Sequence, residues 1–350
     1  MDHTTAVAMS GGVDSSAAAL LLLKGEKTLL GLTLCLFDGG EEGADAAAVA
    51  KRLNFPHRTL DMRREFQAGV MDPFVSEYER GRTPNPCVLC NRAVKFGALL
   101  RTAEELGCGS LATGHYARTG FDAGAGRWLL KKAAHPDKDQ SYVLAMLTQE
   151  QLSRALFPLG ELSKAEVRAI AAEAGLSNAQ KGDSQDICFI PGGDYGAFLR
   201  RHTGKDYPPG PYLDEAGAVL GRHTGIVDYT VGQRRGLGVS SSAGRLYVKE
   251  VRPGDNAVIL SNNAALFRRV LTANSLNLIP CARLDGPVRL RARIRYRMAE
   301  QPCTVEQTGE DTVRVAFDEA QRAVTPGQTV VFYDGDVVVG GAVIERSLPD

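Results

Sequence analysis

Residues 8–16 have the sequence AMSGGVDSS and lie between a predicted strand and a predicted helix. Gly11 and Gly12 carry no side chain, so a ligand can approach the backbone closely at this point. Backbone N–H groups and the positive end of the following helix favour an anion there, and Asp14 is placed to hold Mg²⁺ beside a phosphate. Because no lysine follows the glycines as in GxxxxGK[ST], the segment is not a P-loop of that class. It predicts a nucleotide-phosphate site of another kind, with an ordinary strand-to-helix turn as the simpler alternative.

A CxxC pair, Cys87 and Cys90, occurs in residues 83–91, TPNPCVLCN. The two prolines of this segment restrict φ and hold the chain extended, which predicts both thiols at the N-terminus of a helix over residues 91–106. A helix N-terminus favours the thiolate, so we expect a lowered thiol pKa. Redox chemistry and metal binding are both compatible with this position.

Cys188 lies in KGDSQDICFI, where a polar stretch runs into a short apolar one. Taken alone, such a cysteine is more often a small buried hydrophobe than a nucleophile. The same interpretation applies to Cys35, Cys108, Cys281 and Cys303. A zinc site at the CxxC pair would need further ligands, for which Cys108 and His115 are the available candidates.

The 350-residue chain is 44% hydrophobic and 23% charged, with a formal net charge of zero. This composition is typical of a globular protein with two or three domains, and it neither favours nor excludes a polyanionic partner. The apolar run at residues 17–23 is too short to span a bilayer, and no basic cluster precedes it as in a signal peptide. We therefore predict a cytoplasmic protein without a membrane partner, in which a structural disulfide framework is not expected.

From residue 5 to residue 197, short apolar runs alternate with helix-like segments, which predicts a parallel sheet with helices on its faces. The predicted elements are strands at residues 5–9, 28–37 and 110–113 and helices at residues 13–24 and 163–174. Ser163 and Glu166 form a capping box at the start of the last of these helices. We assign that helix a structural role only.

A Pro/Gly-rich stretch at residues 204–211 interrupts this pattern and predicts a domain boundary. Beyond it, short alternating runs such as residues 329–333 and 337–344 predict a small barrel or sandwich. The predicted domains are residues 1–197, residues 198–272, with a mixed and mostly β structure, and residues 273–350.

Five arginines alternate with other, mostly apolar residues near the C-terminal end. The arginines are Arg289, Arg291, Arg293, Arg295 and Arg297, with Leu290, Ala292, Ile294 and Tyr296 between them. On a strand this alternation predicts a basic face in solvent and an apolar face in the core. Such a stripe can neutralise phosphates, and the alternative is a solvated strand face balanced by nearby acids.

Seven segments, in order along the whole chain, together resemble the tRNA-specific 2-thiouridylase family. They are AMSGGVDSS, TPNPCVLCN, ATGHYA, KDQSYVL, SQDICFI, VGQRRGLG and RARIRYR. The resemblance implies an α/β N-terminal PP-loop domain, of the adenine nucleotide alpha hydrolase-like type with a parallel sheet. It also implies a small central mixed or β domain and a C-terminal β-barrel.

The resemblance also implies a reaction in which ATP adenylates the C2 oxygen of the wobble uridine of a tRNA and sulfur then displaces AMP. ATP and Mg²⁺ are the implied cofactors, and tRNA is the implied partner. Because the chain has no obvious sulfur-generating domain, a cysteine desulfurase or sulfur-relay protein is expected to supply the sulfur.

Functional residues are carried over from the family by motif. The residues implied to bind ATP are Ala8, Met9, Ser10, Gly11, Gly12, Val13, Asp14, Ser15, Leu34 and Gly114. Cys188 matches the persulfide position, and Cys90 matches the thiol that releases its sulfur by forming a disulfide. The residues implied to contact the target base or other parts of the tRNA are Asn85, Pro86, Cys87, His115, Lys138, Asp139, Gln140, Arg295, Tyr296 and Gln328.

Cys87 departs from one family spelling, TPNPDVMCN, which has aspartate at this position. Two mechanisms are therefore open: a persulfide and disulfide route through Cys90 and Cys188, or a 4Fe-4S cluster held by Cys87, Cys90 and Cys188. Two other functions are also compatible with parts of the sequence. One is a PP-loop synthetase that forms amides or guanidines without sulfur, and the other is a non-catalytic RNA-binding protein.

Overall fold

The structure, a computed structural model, describes residues 4–38, 43–176, 178–180, 182, 187–239 and 244–349. Its strands are β1 (Thr4–Ala8), β2 (Leu29–Cys35), β3 (His57–Asp61), β4 (Cys108–Ala112), β5 (Ala117–Asp122), β6 (Arg127–Lys132), β7 (Ala155–Leu156), β8 (Gly210–Leu213), β9 (Val219–His223), β10 (Tyr247–Arg252), β11 (Ala257–Ser261), β12 (Phe267–Leu278), β13 (Val288–Arg293), β14 (Gln301–Gln307), β15 (Val313–Arg322), β16 (Thr329–Asp334) and β17 (Val337–Leu348).

Its α-helices are α1 (Val13–Lys24), α2 (Ala44–Arg52), α3 (Arg63–Phe66), α4 (Asp72–Glu79), α5 (Pro86–Leu89), α6 (Leu100–Glu105), α7 (Ser141–Leu144), α8 (Gln149–Arg154), α9 (Lys164–Glu173) and α10 (Tyr195–Thr203). Two π-helical stretches, Gln67–Met71 and Cys90–Leu99, join α3 to α4 and α5 to α6. Short 3₁₀ turns occur at Pro136–Lys138, Pro191–Gly193, Ile226–Asp228, Pro253–Asp255 and Ala264–Leu266.

The N-terminal sheet has the strand order β3-β2-β1-β4-β7, and all four strand pairs in it are parallel. Its central strands are apolar on both faces, since Val7, Leu32 and Leu111 are fully buried. This confirms the predicted parallel sheet with helices. The carboxyl ends of β1, β2 and β4 lie at one edge, and that edge carries the loop with the two glycines.

Two helices predicted from local signals occur nearly as expected. Helix α1 spans Val13–Lys24 and ends at Gly25, as the sequence predicts. Helix α9 spans Lys164–Glu173, and both hydrogen bonds of the Ser163–Glu166 capping box are present.

The helix after the CxxC segment begins at Pro86, so its predicted start at Asn91 is wrong. Asn85 caps it, because its side-chain oxygen accepts from the backbone N–H groups of Cys87 and Val88 at 3.1 and 3.4 Å. Proline is favoured at the first helical position, where its missing N–H costs nothing. Both thiols of the pair therefore lie inside the helix.

The central sheet has the order β10-β11-β8-β9 and mixes parallel and antiparallel pairs. The C-terminal sheet closes on itself through strands β12, β15, β14, β13, β16 and β17, because β12 also pairs with β17. It is the predicted barrel, with a core that includes Leu290, Val315 and Phe332. The limits 1–197, 198–272 and 273–350 stay a prediction.

One hairpin from the first part of the chain joins the barrel. Strands β5 and β6 pair with each other, and β6 meets β17 where Lys131 lies opposite Val337. Tyr142 from α7 donates a 2.6 Å hydrogen bond to the carbonyl of Thr329 in β16. These contacts fix the first part of the chain against the barrel.

In the described part of the chain, every helix is too short or too polar to cross a membrane.

Candidate active site

The loop between β1 and α1 is shaped by its two glycines. Gly11 has a φ of +71°, which glycine adopts without strain, and Gly12 forms the N-cap of α1. The hydroxyls of Ser15 and Ser16 donate to the carbonyl of Gly12 at 3.1 and 3.0 Å, and the N–H of Ser10 donates to Ser15 Oγ at 3.3 Å. The loop is therefore ordered by its own side chains around the amino end of a helix, which favours phosphate.

Gly114 packs directly on this loop. A Cβ atom at Gly114 would lie 2.7 Å from both the carbonyl carbon of Asp14 and the backbone nitrogen of Ser15. Only a residue without a side chain allows this approach, so the segment after β4 is seated against the first turn of α1. Leu34 lies at the end of β2, half-buried and opposite Leu60 of β3. The nucleotide contacts assigned to Leu34 and Gly114 stay a prediction.

Lys164, the first residue of α9, contacts the aspartate of the loop. Its Nζ lies 2.7 and 2.9 Å from the two carboxylate oxygens of Asp14, and Tyr116 Oη donates to Asp14 Oδ1 at 2.8 Å. The side chain of Lys164 is 11% exposed. The interpretation of α9 as structural only is therefore too narrow, because the helix delivers a cation to the nucleotide loop.

Two further residues at the loop were missed by the sequence analysis. Asn178 is buried and donates to the carbonyl of Gly11 at 3.0 Å and to Ser16 Oγ at 2.8 Å. Asp45 lies close to the first glycine, since a Cβ at Gly11 would be 2.8 Å from the Cβ of Asp45. Neither residue stands in a recognisable motif, and only the fold brings them to the loop.

The three candidate thiols lie within electrostatic reach of one another. The side chain of Cys90 is buried, whereas Cys87 and Cys188 reach solvent, and all seven cysteines are free. A charge on Cys90 or Cys87 would raise the pKa of Cys188, and the charge of Lys95 lowers the pKa of all three. Lys95 was not predicted, and it lies on the same helix as Cys90.

The prediction that the helix lowers the pKa of the thiols is wrong. Burial, the largest effect, raises the pKa of Cys87 and of Cys90, and it raises the pKa of Cys188 to about 11. The surrounding protein desolvates the thiolates more strongly than Lys95 stabilises them. The thiols are therefore mostly protonated at neutral pH in the unliganded protein.

Cys188 is held in place by its neighbour Phe189. The ring of Phe189 packs edge-on against Phe66, Phe74 and Phe198, with centroid distances of 5.4, 5.5 and 5.1 Å. Phe189 is buried, as is Ile190. Phe189 and Ile190 thus anchor the segment in the core, while the Cys188 thiol lies outside it.

Within the described ranges, no three His, Cys, Asp or Glu side chains lie close enough together to hold one metal ion. Cys108 and His115 therefore do not complete a zinc site with the CxxC pair. In a 4Fe-4S cluster each thiolate binds a different iron atom, so the cluster held by Cys87, Cys90 and Cys188 stays a prediction. Mg²⁺ needs less from the protein, because one or two carboxylates and the phosphates of the substrate suffice. Asp14 and Asp45, beside the glycines, are compatible with that role.

A cavity of about 1040 Å³ opens next to the CxxC helix. Asn85, Pro86 and Cys87 form one wall, and the rings of Tyr78 and Tyr195, which stack at 6.0 Å, form another. The remaining walls come from residues 187–200, from residues 224–236 of the central part and from the barrel. The predicted target-base segment thus borders a chamber with aromatic walls.

Gln328 of the barrel binds the segment that precedes Cys87. Its Nε2 donates to the carbonyl of Thr83 at 2.7 Å. Tyr296 is 37% exposed, and its pKa is raised by burial, by Asp139 and by Cys87. Of the barrel residues predicted to contact tRNA, Gln328 therefore lines the chamber, and Tyr296 is partly exposed.

Other predicted tRNA contacts are partly or wholly buried. Asp139 is buried and accepts hydrogen bonds from Ala133 and Ser141. Gln140 Oε1 accepts the N–H of Tyr116 at 2.9 Å, and Lys138 is half-buried. In this conformation the side chains of Asp139 and Gln140 accept hydrogen bonds from backbone N–H groups of the protein itself.

His115 is also inside the protein. It shares a 2.8 Å hydrogen bond with Thr113 Oγ1 and packs against the rings of Phe96 and Phe157. Burial holds its pKa well below the usual value, so the imidazole is neutral. A direct contact of this side chain with RNA would need a rearrangement.

The arginine run does not form one basic stripe. Strand β13 ends at Arg293, and its apolar face is buried as predicted. On the other face, Arg289 pairs with Asp318 at 2.7 Å, and Arg293 pairs with Glu300 at 2.9 Å inside the protein. The alternative of a face balanced by acids is therefore correct for these two arginines, while Arg295 lies beyond the strand.

Comparison with known proteins extends over the whole chain. Residues 3–192 match the family described as "tRNA methyl transferase HUP domain", residues 196–262 the "tRNA methyl transferase PRC-barrel domain" and residues 268–344 the "Aminomethyltransferase beta-barrel domain". A solved 4-thiouridine synthetase with RNA and ATP is 19% identical, covers 54% of this chain and 45% of its own, and has a TM-score of 0.35. That likeness is too slight to support an argument.

Three relatives carry the name tRNA-specific 2-thiouridylase MnmA. The protein of Clostridioides difficile is 42% identical over 99% of both chains. Those of Symbiobacterium thermophilum and Koribacter versatilis are each 47% identical over 98% of this chain, and the matches cover 92% and 99% of their own lengths. On this identity along nearly its whole length, the chain belongs to the tRNA-specific 2-thiouridylase family.

Proposed function

We propose that the protein is an ATP-dependent tRNA-uridine 2-sulfurtransferase. The observation that carries the proposal is the meeting of three features at one place: the nucleotide loop, the thiols and the chamber. Gly114 packs on Asp14, the adjacent His115 packs against Phe96 of the helix that carries Cys90, and Cys87 of the same helix lines the chamber. Adenylation of a tRNA uridine and transfer of sulfur to it can therefore occur while that uridine stays bound.

In the first step, the C2 oxygen of the uridine attacks the α-phosphate of ATP and pyrophosphate leaves. The loop's backbone N–H groups and the amino end of α1 would bind the phosphates. Lys164 would turn from Asp14 to the departing negative charge, which leaves Asp14 and Asp45 to hold Mg²⁺. The ion would neutralise charge on the pyrophosphate.

In the second step, the terminal sulfur of a Cys188 persulfide attacks C2, which adenylation has made electrophilic. The thiolate of Cys90 then attacks the inner sulfur of Cys188. A Cys90–Cys188 disulfide forms, the new sulfur stays on C2, and AMP leaves. Both cysteines are free in the structure, as loading of Cys188 with sulfur would require.

The aromatic walls of the chamber support the proposal that the substrate is a single nucleotide flipped out of the RNA stack. Enzymes that modify a base extrude it from the stack into a pocket, where aromatic side chains bind it. Tyr78 and Tyr195 supply such surfaces, and Cys87 lies on the wall nearest the thiol helix. A desulfurase or relay protein would load Cys188, which is exposed. A cytoplasmic location stays a prediction.

The test is release of pyrophosphate on addition of ATP and an unmodified tRNA. Asp14→Asn should abolish release while tRNA binding stays nearly intact, and Cys188→Ala should retain release but lose thiolation. Asp318→Asn, at an exposed ion pair of the barrel, is the matched control. Thiolation that survives replacement of Cys90 and Cys188 would favour the sulfur-free synthetase, and an absence of tRNA-dependent release would favour a binding protein.

A further inference from the structure

A second cavity, of about 240 Å³, lies where the three parts of the chain meet. Its lining residues are Thr83, Thr230, Val231, Gly232, Arg295, Arg322, Thr325 and Gln328. It shares Thr83, Thr230 and Gln328 with the large chamber, so the two cavities adjoin. The walls are therefore hydroxyls, an amide and two guanidinium groups.

The two arginines of this cavity have spare hydrogen-bond donors. Arg295 donates from Nη2 to the carbonyl of Ala323 and, at 3.3 Å, to Thr325 Oγ1. Arg322 donates from Nε to Asn263 Oδ1 at 2.8 Å. Across the residues that the structure describes, neither arginine pairs with a carboxylate, and both terminal nitrogens of Arg322 lack a hydrogen-bond partner. Each guanidinium has five N–H donors, so most of them remain available.

Gly232 keeps the space between the two guanidinium groups open. A Cβ at Gly232 would lie 3.6 Å from Arg322 Nη1, 3.9 Å from Arg295 Nη2 and 2.8 Å from the Cβ of Ala323. Its φ of +89° is one that glycine adopts freely. Both arginines therefore face one small volume that a side chain at this position would fill.

The local backbone and charges suit an anion in that volume. Ala323 has a left-handed φ of +53°, a strained conformation for a residue with a side chain, and its carbonyl positions Arg295. Burial and the neighbouring Arg322 lower the pKa of Arg295, because two like charges face each other. A phosphate would relieve that repulsion, and guanidinium groups match its geometry.

We propose that Arg322 and Arg295 together bind one backbone phosphate of the RNA, next to the nucleotide that enters the large chamber. The proposal rests on the proposed function and adds Arg322 and Gly232 to it. A phosphate held here fixes the register of the strand relative to Cys87 without reading its sequence. An inorganic phosphate shares the same chemistry, and the test separates the two sources.

The test replaces the anticodon-loop phosphates of a tRNA one at a time with uncharged methylphosphonates. Binding is measured to the full-length wild-type protein and to Arg322→Gln. For the wild type, we expect one position at which the neutral linkage weakens binding about tenfold, as for a lost charged hydrogen bond. At that position the loss for Arg322→Gln should be clearly smaller than for the wild type, because only Arg295 still contacts the phosphate. Arg289→Gln, whose arginine pairs with Asp318, should respond like the wild type.

Equal losses for the wild type and Arg322→Gln at every position would overturn the assignment. It would also be overturned if no position responded while inorganic phosphate bound the wild type and not Arg322→Gln, since the occupant would then be a free anion. The methylphosphonate series measured with the wild-type protein does not depend on whether any protein variant folds. Failure of the wild-type protein to bind any tRNA would instead contradict the proposed function.

Discussion

Lys164 and Asp14 are joined by an ion pair in which the lysine Nζ lies 2.7 Å from one carboxylate oxygen and 2.9 Å from the other. The pair links the first residue of α9 to the first turn of α1. Helix α9 also packs against α1 in one apolar cluster, so the ion pair extends that contact to the nucleotide loop. In the proposed reaction, the lysine cation moves from Asp14 to the phosphates of ATP.

Lys164→Met should slow tRNA-dependent pyrophosphate release at least about tenfold, because the lost charge no longer stabilises the leaving group. Methionine keeps the unbranched stem, so the packing of α9 should change little. Lys249→Met, which breaks a lysine–glutamate pair with Glu215 in the central sheet, is the matched control. Equal rates for Lys164→Met and the control would remove Lys164 from the site.

Gly114→Ala should destabilise the free protein by about 1–3 kcal/mol, because the added methyl meets backbone atoms that cannot move aside. It should also weaken ATP binding, since Asp14 and Ser15 would shift. Gly120→Ala in strand β5 is the control, as a Cβ there has no neighbour within 4 Å. Calorimetric titration with ATP and thermal unfolding measure both effects, and wild-type behaviour of Gly114→Ala would contradict the packing described.

Alkylation of Cys188 by iodoacetamide should accelerate about tenfold per pH unit from pH 7 to pH 9. The thiolate is the reactive form, and burial raises the pKa of Cys188 to about 11, so its fraction grows throughout this range. Peptide mass spectrometry of Cys188 measures the rate. A small thiol with a pKa of about 8.5 serves as reference and should level off near pH 9. A plateau for Cys188 below pH 8 would show that the charge of Lys95 outweighs burial.

Features set by local sequence were predicted well. The bounds of α1, the capping box of α9 and the glycines of the nucleotide loop all depend on residues within a few positions of one another. The start of the CxxC helix was missed because two prolines suggested an extended chain, whereas Pro86 occupies the first helical position behind the Asn85 cap.

Features set by tertiary contacts could not be predicted in this way. Lys164 and Asn178 reach the nucleotide loop from more than 140 positions away along the chain. The raised pKa of the thiols depends on burial, which a CxxC motif does not reveal. Arg293 has the same place in the alternation as Arg289, yet it is inside the protein because the first part of the chain packs over it.

In the proposed reaction, sulfur replaces the C2 oxygen of a tRNA uridine through Cys90 and Cys188. The most direct measurement is nucleoside mass analysis after anaerobic incubation of the protein with ATP, a sulfur source and an unmodified tRNA. We expect 2-thiouridine at the wobble position with the wild-type protein, and none with Cys90→Ala, with Cys188→Ala or without ATP. Undiminished 2-thiouridine from either cysteine variant, or sulfur in a different nucleoside, would contradict it.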